Sequence, residues 1–136
     1  MPTMVLTAVY LNLAGTDVSS YTKKAEVAVE VEEKDVTTYA SLGWKLVIGG
    51  LKSGTLAIEF LQDFAATKLD SLMWPLLGTN IAFEVRPDQA AVGTSNPKYT
   101  GTVLVKEWSP VQGSVGDEAT VGVSYPTSGA VVRATA

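Results

Sequence analysis

The stretch Ala25-Glu26-Val27-Ala28-Val29-Glu30-Val31-Glu32 alternates strictly, with Val27, Val29 and Val31 on one side and Glu26, Ala28, Glu30 and Glu32 on the other. Successive side chains of a strand point to opposite faces, so this period of two describes a half-buried β-strand. Its valine face is expected in a core and its glutamate face in water. The same rhythm recurs in Thr55 to Gln62, with Leu56, Ile58 and Phe60 inward and Glu59 outward. It recurs again in Asn80 to Arg86, with Ile81, Phe83 and Val85 inward and Glu84 and Arg86 outward. Val5 to Leu13 alternates with both faces partly apolar. Further strands are read at Lys98 to Trp108, Glu118 to Tyr125 and Ala130 to Thr135, separated by the turn-rich stretches Ser109 to Asp117 and Pro126 to Gly129. Six or seven strands result.

Composition agrees. The chain holds 18 Val, 15 Thr and 3 Ile among 136 residues, a β-branched excess that favours strands over helices. One segment departs from the period of two: Ala65, Leu69, Leu72, Met73 and Leu76 recur at helical spacing, with Asp63 placed to cap the start and Gly78 to stop the end. Leu69 and Leu72 are its expected core residues. Pro75 lacks an amide hydrogen and its ring clashes with the carbonyl four residues earlier, so regular helix is expected to end near Met73 and a tighter turn to follow. Because each alternating strand has one apolar face to bury, the economical architecture is mainly β: two packed antiparallel sheets, sandwich- or barrel-like, with one α-helix over an open end. At this length the chain reads as one domain, residues 1–136.

Several function classes fall away. With no Cys and no His, the chain has no disulfide, no thiolate nucleophile, no His-dependent triad and none of the usual zinc, copper or haem ligand sets. Hydrophobic residues make up 46% and charged ones 18%, yet no apolar run approaches the roughly 18 residues of a membrane span. Met1 to Val9 lacks the basic head and apolar centre of a secretory signal. The net charge is -4, and Arg86 and Arg133 are the only arginines, which argues against gripping phosphates. Leu51 stands where a P-loop needs glycine before Lys52-Ser53, and Gly113-Ser114-Val115-Gly116 sits in a turn without basic neighbours. The pairs Glu32-Glu33 and Asp117-Glu118 are too few for a calcium loop. The carboxylates Glu26, Glu30 and Glu32 alternate along a strand, as a solvated face does, so no catalytic residue, cofactor or metal ligand is assigned.

Glu33 to Gly54 reads differently from the rest. It mixes Thr37, Thr38 and Ser41 with Tyr39 and Trp44, and ends in Gly49, Gly50 and Gly54 around Leu46-Val47-Ile48. A connection this long within a small domain is usually functional or disordered rather than a plain linker, and its glycines permit hinge-like backbone. Two readings stand: a partner-binding arm carrying Tyr39, Trp44, Leu46 and Ile48, or a longer hairpin packed on its own domain. Trp44, Trp74 and Trp108 are read as core or interface residues.

From Gly50 onward a string of short stretches becomes recognisable. It includes Gly50-Leu51-Lys52-Ser53-Gly54-Thr55-Leu56, Phe60-Leu61-Gln62-Asp63-Phe64, Leu72-Met73-Trp74-Pro75-Leu76-Leu77-Gly78-Thr79 and Phe83-Glu84-Val85-Arg86-Pro87. Asn96-Pro97-Lys98-Tyr99-Thr100-Gly101 and Val121-Gly122-Val123-Ser124-Tyr125-Pro126-Thr127-Ser128-Gly129 continue it. In order and spacing, over roughly residues 16 to 135, these resemble the tail tube (major tail) proteins of phages with long, non-contractile tails, the siphophages. That resemblance implies a structural virion protein of two packed sheets and one helix. Six copies would form a ring whose inner sheets make a continuous barrel, and rings would stack into a hollow tube through which DNA is ejected. It implies no cofactor. Its partners are further copies of the chain and other tail proteins (tape measure, tail tip, terminator), and its location is the virion tail, with the host cytoplasm during assembly. In similar proteins a long loop, flexible in the free subunit, orders against the neighbouring ring, and Glu33 to Gly54 is its counterpart here. Met1 to Leu13 and Ala130 to Thr135 would add contacts within and between rings.

A lumen that lets a polyanionic duplex slide should repel it. Either the face carrying Glu26, Glu30 and Glu32 or the face carrying Glu59 and Glu84 is therefore the expected lumen lining. The rival readings are a β-sandwich decoration module of a larger particle and the tube of a phage-like bacterial injection machine.

Overall fold

The structure is a computed structural model that describes residues 3–136. Met1 and Pro2, the start of the stretch read as an N-terminal contact segment and as lacking a signal, lie outside the described residues. Two antiparallel sheets form. The first takes strands β1 (Tyr10–Leu13), β2 (Thr16–Asp17), β5 (Asn80–Arg86), β6 (Lys98–Leu104) and β8 (Val132–Ala134) in the order β2-β1-β5-β6-β8. The second takes β3 (Thr22–Asp35), β4 (Val47–Leu61) and β7 (Thr120–Pro126) in the order β3-β4-β7. The short helix α1 (Leu69–Met73) precedes β5.

The core lies between the sheets and is built by the alternation. Leu56, Ile58 and Phe60 of β4 pair with Tyr125, Val123 and Val121 of β7, and all six are buried. Ile81 and Phe83 of β5 face them with Leu11 and Leu13 of β1. The sheets meet at a corner where Val103 bridges Thr127 and the Ser128 amide donates to the Thr102 carbonyl at 2.8 Å. Gly101 belongs to this corner: a Cβ there would stand 3.0 Å from the Phe83 ring and 3.2 Å from the Ala130 carbonyl, so any side chain would require the ring or the carbonyl to give by a few tenths of an ångström.

Several expectations are corrected. Val27 is half-buried, but Val29 and Val31 are 63% and 53% exposed rather than core. The reason is layer geometry: β3 and β4 run on as a hairpin beyond the other sheet, so the valine face has no second layer to meet. The helix begins at Leu69, not near Ala65. Asp63 instead accepts from the Ala65 amide at 3.0 Å in a preceding turn, and Thr67 at φ 63° lies in the left-handed region, which a right-handed helix cannot pass through. Leu69 and Met73 are fully buried and Leu72 only half-buried. The helix ends at Met73 and a 3-10 turn, Trp74–Leu76, follows it, as Pro75 requires. Strand ends differ too: β1 starts only at Tyr10, and β6 stops at Leu104, after which the chain turns to bury Val105 and Trp108.

Candidate functional site

Half of the stretch Glu33 to Gly54 is strand. β3 continues to Asp35 and β4 begins at Val47, with the register Glu33↔Gly49, Lys34↔Ile48 and Asp35↔Val47. The glycines are not hinges. Gly49, Gly50 and Gly54 lie inside β4 without positive φ, and a Cβ on Gly49 would come within 2.9 Å of the Val31 side chain. Around Gly50 and Leu51 the register shifts by one residue, a bulge that increases the local twist.

The tip is ordered by short-range hydrogen bonds. Thr37 donates its amide to Asp35 Oδ1 at 2.8 Å, while its hydroxyl oxygen accepts from the Leu46 amide at 2.8 Å. The Val36 amide donates to the Leu46 carbonyl at 2.9 Å. Thr37, through its side chain and then its backbone N–H, holds the Asp35 carboxyl below its ordinary value. A 3-10 turn over Tyr39–Ser41 follows, then Leu42 at φ 53° and Gly43 at φ 88°. A leucine in the left-handed region costs about 1–2 kcal/mol, and here it projects outward, 86% exposed. Tyr39 is fully exposed and Trp44 is 77% exposed, with Leu46 and Ile48 also in water. In the single chain this hairpin therefore presents a projecting apolar tip with no cover from its own body. Its charges pair locally, Lys45 with Glu33 at 3.0 Å and Lys34 with Glu32. Such exposed pairs are worth at most about 1 kcal/mol.

The outer face of the three-stranded sheet is set by the same register. Lys24 lies opposite Glu59, Glu26 opposite Ala57 and Glu30 opposite Ser53, so Glu26, Glu30 and Glu59 share one face with Lys24, and Glu32 extends it along the hairpin. Lys23, the extra residue at a bulge in β3, reaches Glu59 at 3.8 Å and Glu118 at 3.3 Å. The Glu118 carboxyl is held below its ordinary value by its own backbone N–H and then by Lys23. Glu84 stands elsewhere. It is on β5 in the other sheet, opposite Asn12 and Thr100, so the expected grouping of Glu59 with Glu84 is not what the fold brings together. Glu84 is part-buried and pairs with Arg86 at 2.5 Å, and the Arg86 guanidinium stacks 4.3 Å above the Tyr10 ring. Sequence could not separate these glutamates, because alternation gives the face of a strand and not the sheet it joins.

Two edges complete the picture. On β7, the Ser124 amide donates to Glu107 Oε1 at 3.1 Å and the Gly122 amide to Gln112 Oε1 at 3.4 Å, so side chains blunt that edge. β3, 14 residues long, is an edge strand with a partner on one side only among the described residues. Among the described residues no group of three or more Asp or Glu side chains converges as metal ligands would. No described helix is long and apolar enough to cross a membrane.

No family model matches the chain, and no curated protein matches it. Solved structures do. The chain is similar to one chain of the virion of a native gene transfer agent particle, with a TM-score of 0.69 and 18% identity over 92% of this chain and 94% of that one. It is also similar to a chain of the tail of an empty gene transfer agent particle with C6 symmetry, with a TM-score of 0.68 and 20% identity over 92% of each. At this identity the likeness establishes a shared fold: mostly β, two antiparallel sheets and a short helix, nearly end to end.

Proposed function

We propose that this protein is the tube-forming subunit of a phage-like tail, a structural rather than catalytic component. Six copies form a ring, rings stack, and the hollow tube conducts DNA without binding it specifically. The observation that carries this reading is the near end-to-end fold likeness to a chain of a tail with C6 symmetry. Three features of the chain support it. The long edge of β3 offers backbone groups for pairing between copies. The hairpin from Glu33 to Gly54 carries Tyr39, Trp44, Leu46 and Ile48 out into solvent, and aromatic anchors of this kind mark the centres of interfaces. The face with Glu26, Glu30, Glu32 and Glu59 suits a lumen that repels a duplex.

In this reading the tube belongs to the tail of a particle and meets tape-measure, tip and terminator proteins at its interior and ends. The chain acts as one domain, with 33–54 as its contact arm and its two terminal segments contributing further contacts. Sedimentation of concentrated protein tests the proposal. Wild type should pellet as tubes of uniform diameter, and Trp44→Ala, an exposed substitution that leaves the monomer's thermal stability unchanged, should stay in the supernatant. Pelleting tubes of the Trp44→Ala variant would remove the arm from the account. Small closed oligomers of the wild type would favour a decoration module instead.

A further inference from the structure

We propose that the segment 105–119 is a releasable cap on the edge of β7. Its Glu107 and Gln112 occupy the backbone donors through which β7 pairs with β3 of the next copy, and they hold the subunit unassembled until that strand displaces them. This rests on the tube reading above and adds the control of its ring contact.

The three-stranded sheet ends in two unlike edges. In an antiparallel strand, alternate residues turn their backbone groups toward the paired neighbour and the others away from it. On β7 the outward residues are Thr120, Gly122, Ser124 and Pro126, because the Gly122 and Ser124 amides bond away from β4. Pro126 has no amide hydrogen. The Ser124 amide is taken by Glu107 at 3.1 Å and the Gly122 amide by Gln112 at 3.4 Å. Only Thr120, at the start of the strand, keeps an outward amide with no side-chain acceptor among the described residues. The other edge is bare. Over the 14 residues of β3, no side chain among the described residues accepts from a backbone amide.

The cap is rooted firmly and held lightly at its acting end. Val105 and Trp108 are buried on either side of Glu107, and the Tyr125 hydroxyl donates to the Glu107 carbonyl at 2.9 Å, so this backbone is fixed beside the edge. The Glu107 side chain is exposed and lines a cleft of about 300 Å³ with Lys24, Glu59 and Ser124, so its rotation alone frees the Ser124 amide. Gln112 follows Val111, which stands in water, and 3.4 Å is long for an N–H to oxygen bond.

Copies related by rotation about one axis join unlike patches, so a ring sets the β7 edge of one copy against the β3 edge of the next. A backbone strand supplies a carbonyl for each outward amide of β7 and donors for its outward carbonyls, which two side chains cannot do. The incoming strand therefore replaces the cap with a fuller ladder, and the cap sets a threshold for assembly rather than a block.

Sedimentation of the intact protein over a concentration series reads that threshold as the lowest concentration that yields tubes. Glu107→Ala with Gln112→Ala removes both acceptors from exposed side chains. Circular dichroism should be unchanged and the threshold should fall about tenfold, equivalent to about 1.4 kcal/mol, the scale of one net hydrogen bond. Glu107→Gln removes the charge but keeps an acceptor oxygen, and should assemble at the wild-type threshold. Gln112→Ala alone changes no charge and should lower the threshold by less. Hydrogen exchange over residues 120–126 follows the edge itself: these amides should exchange faster in the free double variant than in free wild type, and be equally protected in the tubes of both. Equal thresholds for wild type and double variant overturn the cap and leave the tube reading standing, as does a 120–126 segment no better protected in tubes than in the free subunit. Closed dimers protected over residues 22–35 alone, or no assembly of either protein at any concentration, overturn both.

Discussion

The indole nitrogen of Trp108 donates to Asp70 Oδ1 at 3.0 Å, and the same indole meets the Phe60 ring edge-on at a centroid distance of 6.0 Å. One side chain thus ties α1 to the three-stranded sheet. Trp108 is 7% exposed, so its N–H has little access to water if the carboxylate is removed. Asp70→Ala is expected to cost about 1–3 kcal/mol, the range for leaving a buried donor unsatisfied. Urea unfolding followed by Trp fluorescence measures it, and Asp70→Asn should recover part of the loss.

The helix makes a sharper prediction about neighbours. Met73 is fully buried and Leu72 half-buried, although helical spacing alone marks Leu72 as core. Met73→Ala should cost about 2–5 kcal/mol, as a truncation in a packed core does. Leu72→Ala should cost clearly less, about 1 kcal/mol by the area it buries. Equal losses in thermal denaturation would mean that α1 is rotated from the orientation described.

Much of this fold was legible in the sequence, and each failure has its own physical cause. Leu56, Ile58 and Phe60 and their partners Ile81 and Phe83 are core because both sheets lie over them, so period-two reading finds them. Val29 and Val31 carry the same pattern but lie where only one sheet extends. Pattern reports a strand's two faces, not whether a second layer exists. The two-residue strand β2 was missed because Ala14 holds the left-handed turn before Gly15 at φ 53°, where asparagine or glycine would have signalled it. Aromatic composition pointed to the arm, but its strand content was masked by glycines that serve close packing rather than turning. The exposure of Phe64 and Trp74 carried no separable signal, since the same residue types fill cores.

The tip should respond to acid. Thr37 lowers the Asp35 carboxyl, so the ionised form is the one the folded tip favours. The stabilisation is fully present above the ordinary value of 3.8 and is lost as pH falls through the lower folded value. Hydrogen exchange or the chemical shift of the Thr37 amide should therefore change with a midpoint below pH 3.8. A midpoint at or above that value would contradict the Asp35–Thr37 contact.

The acidic face predicts how a tube treats DNA. Replacing Glu26, Glu30 and Glu59 by Lys changes exposed or half-exposed residues and should leave the monomer's melting temperature within a few degrees of wild type. Tubes of the variant should retain duplex DNA in co-sedimentation at low salt and release it as salt rises, whereas wild-type tubes retain none. Equal behaviour of the two tubes would mean that this face is covered by neighbouring subunits and does not line the lumen.

A tube-forming subunit of the proposed kind builds stacked rings of six. End-on views of assemblies from the concentrated, intact protein, averaged by electron microscopy without imposed symmetry, test it most directly. Hollow rings with six-fold rotational order that stack into tubes in side view are the expected result. Rings of another order, or closed oligomers that do not stack at any concentration, would contradict it.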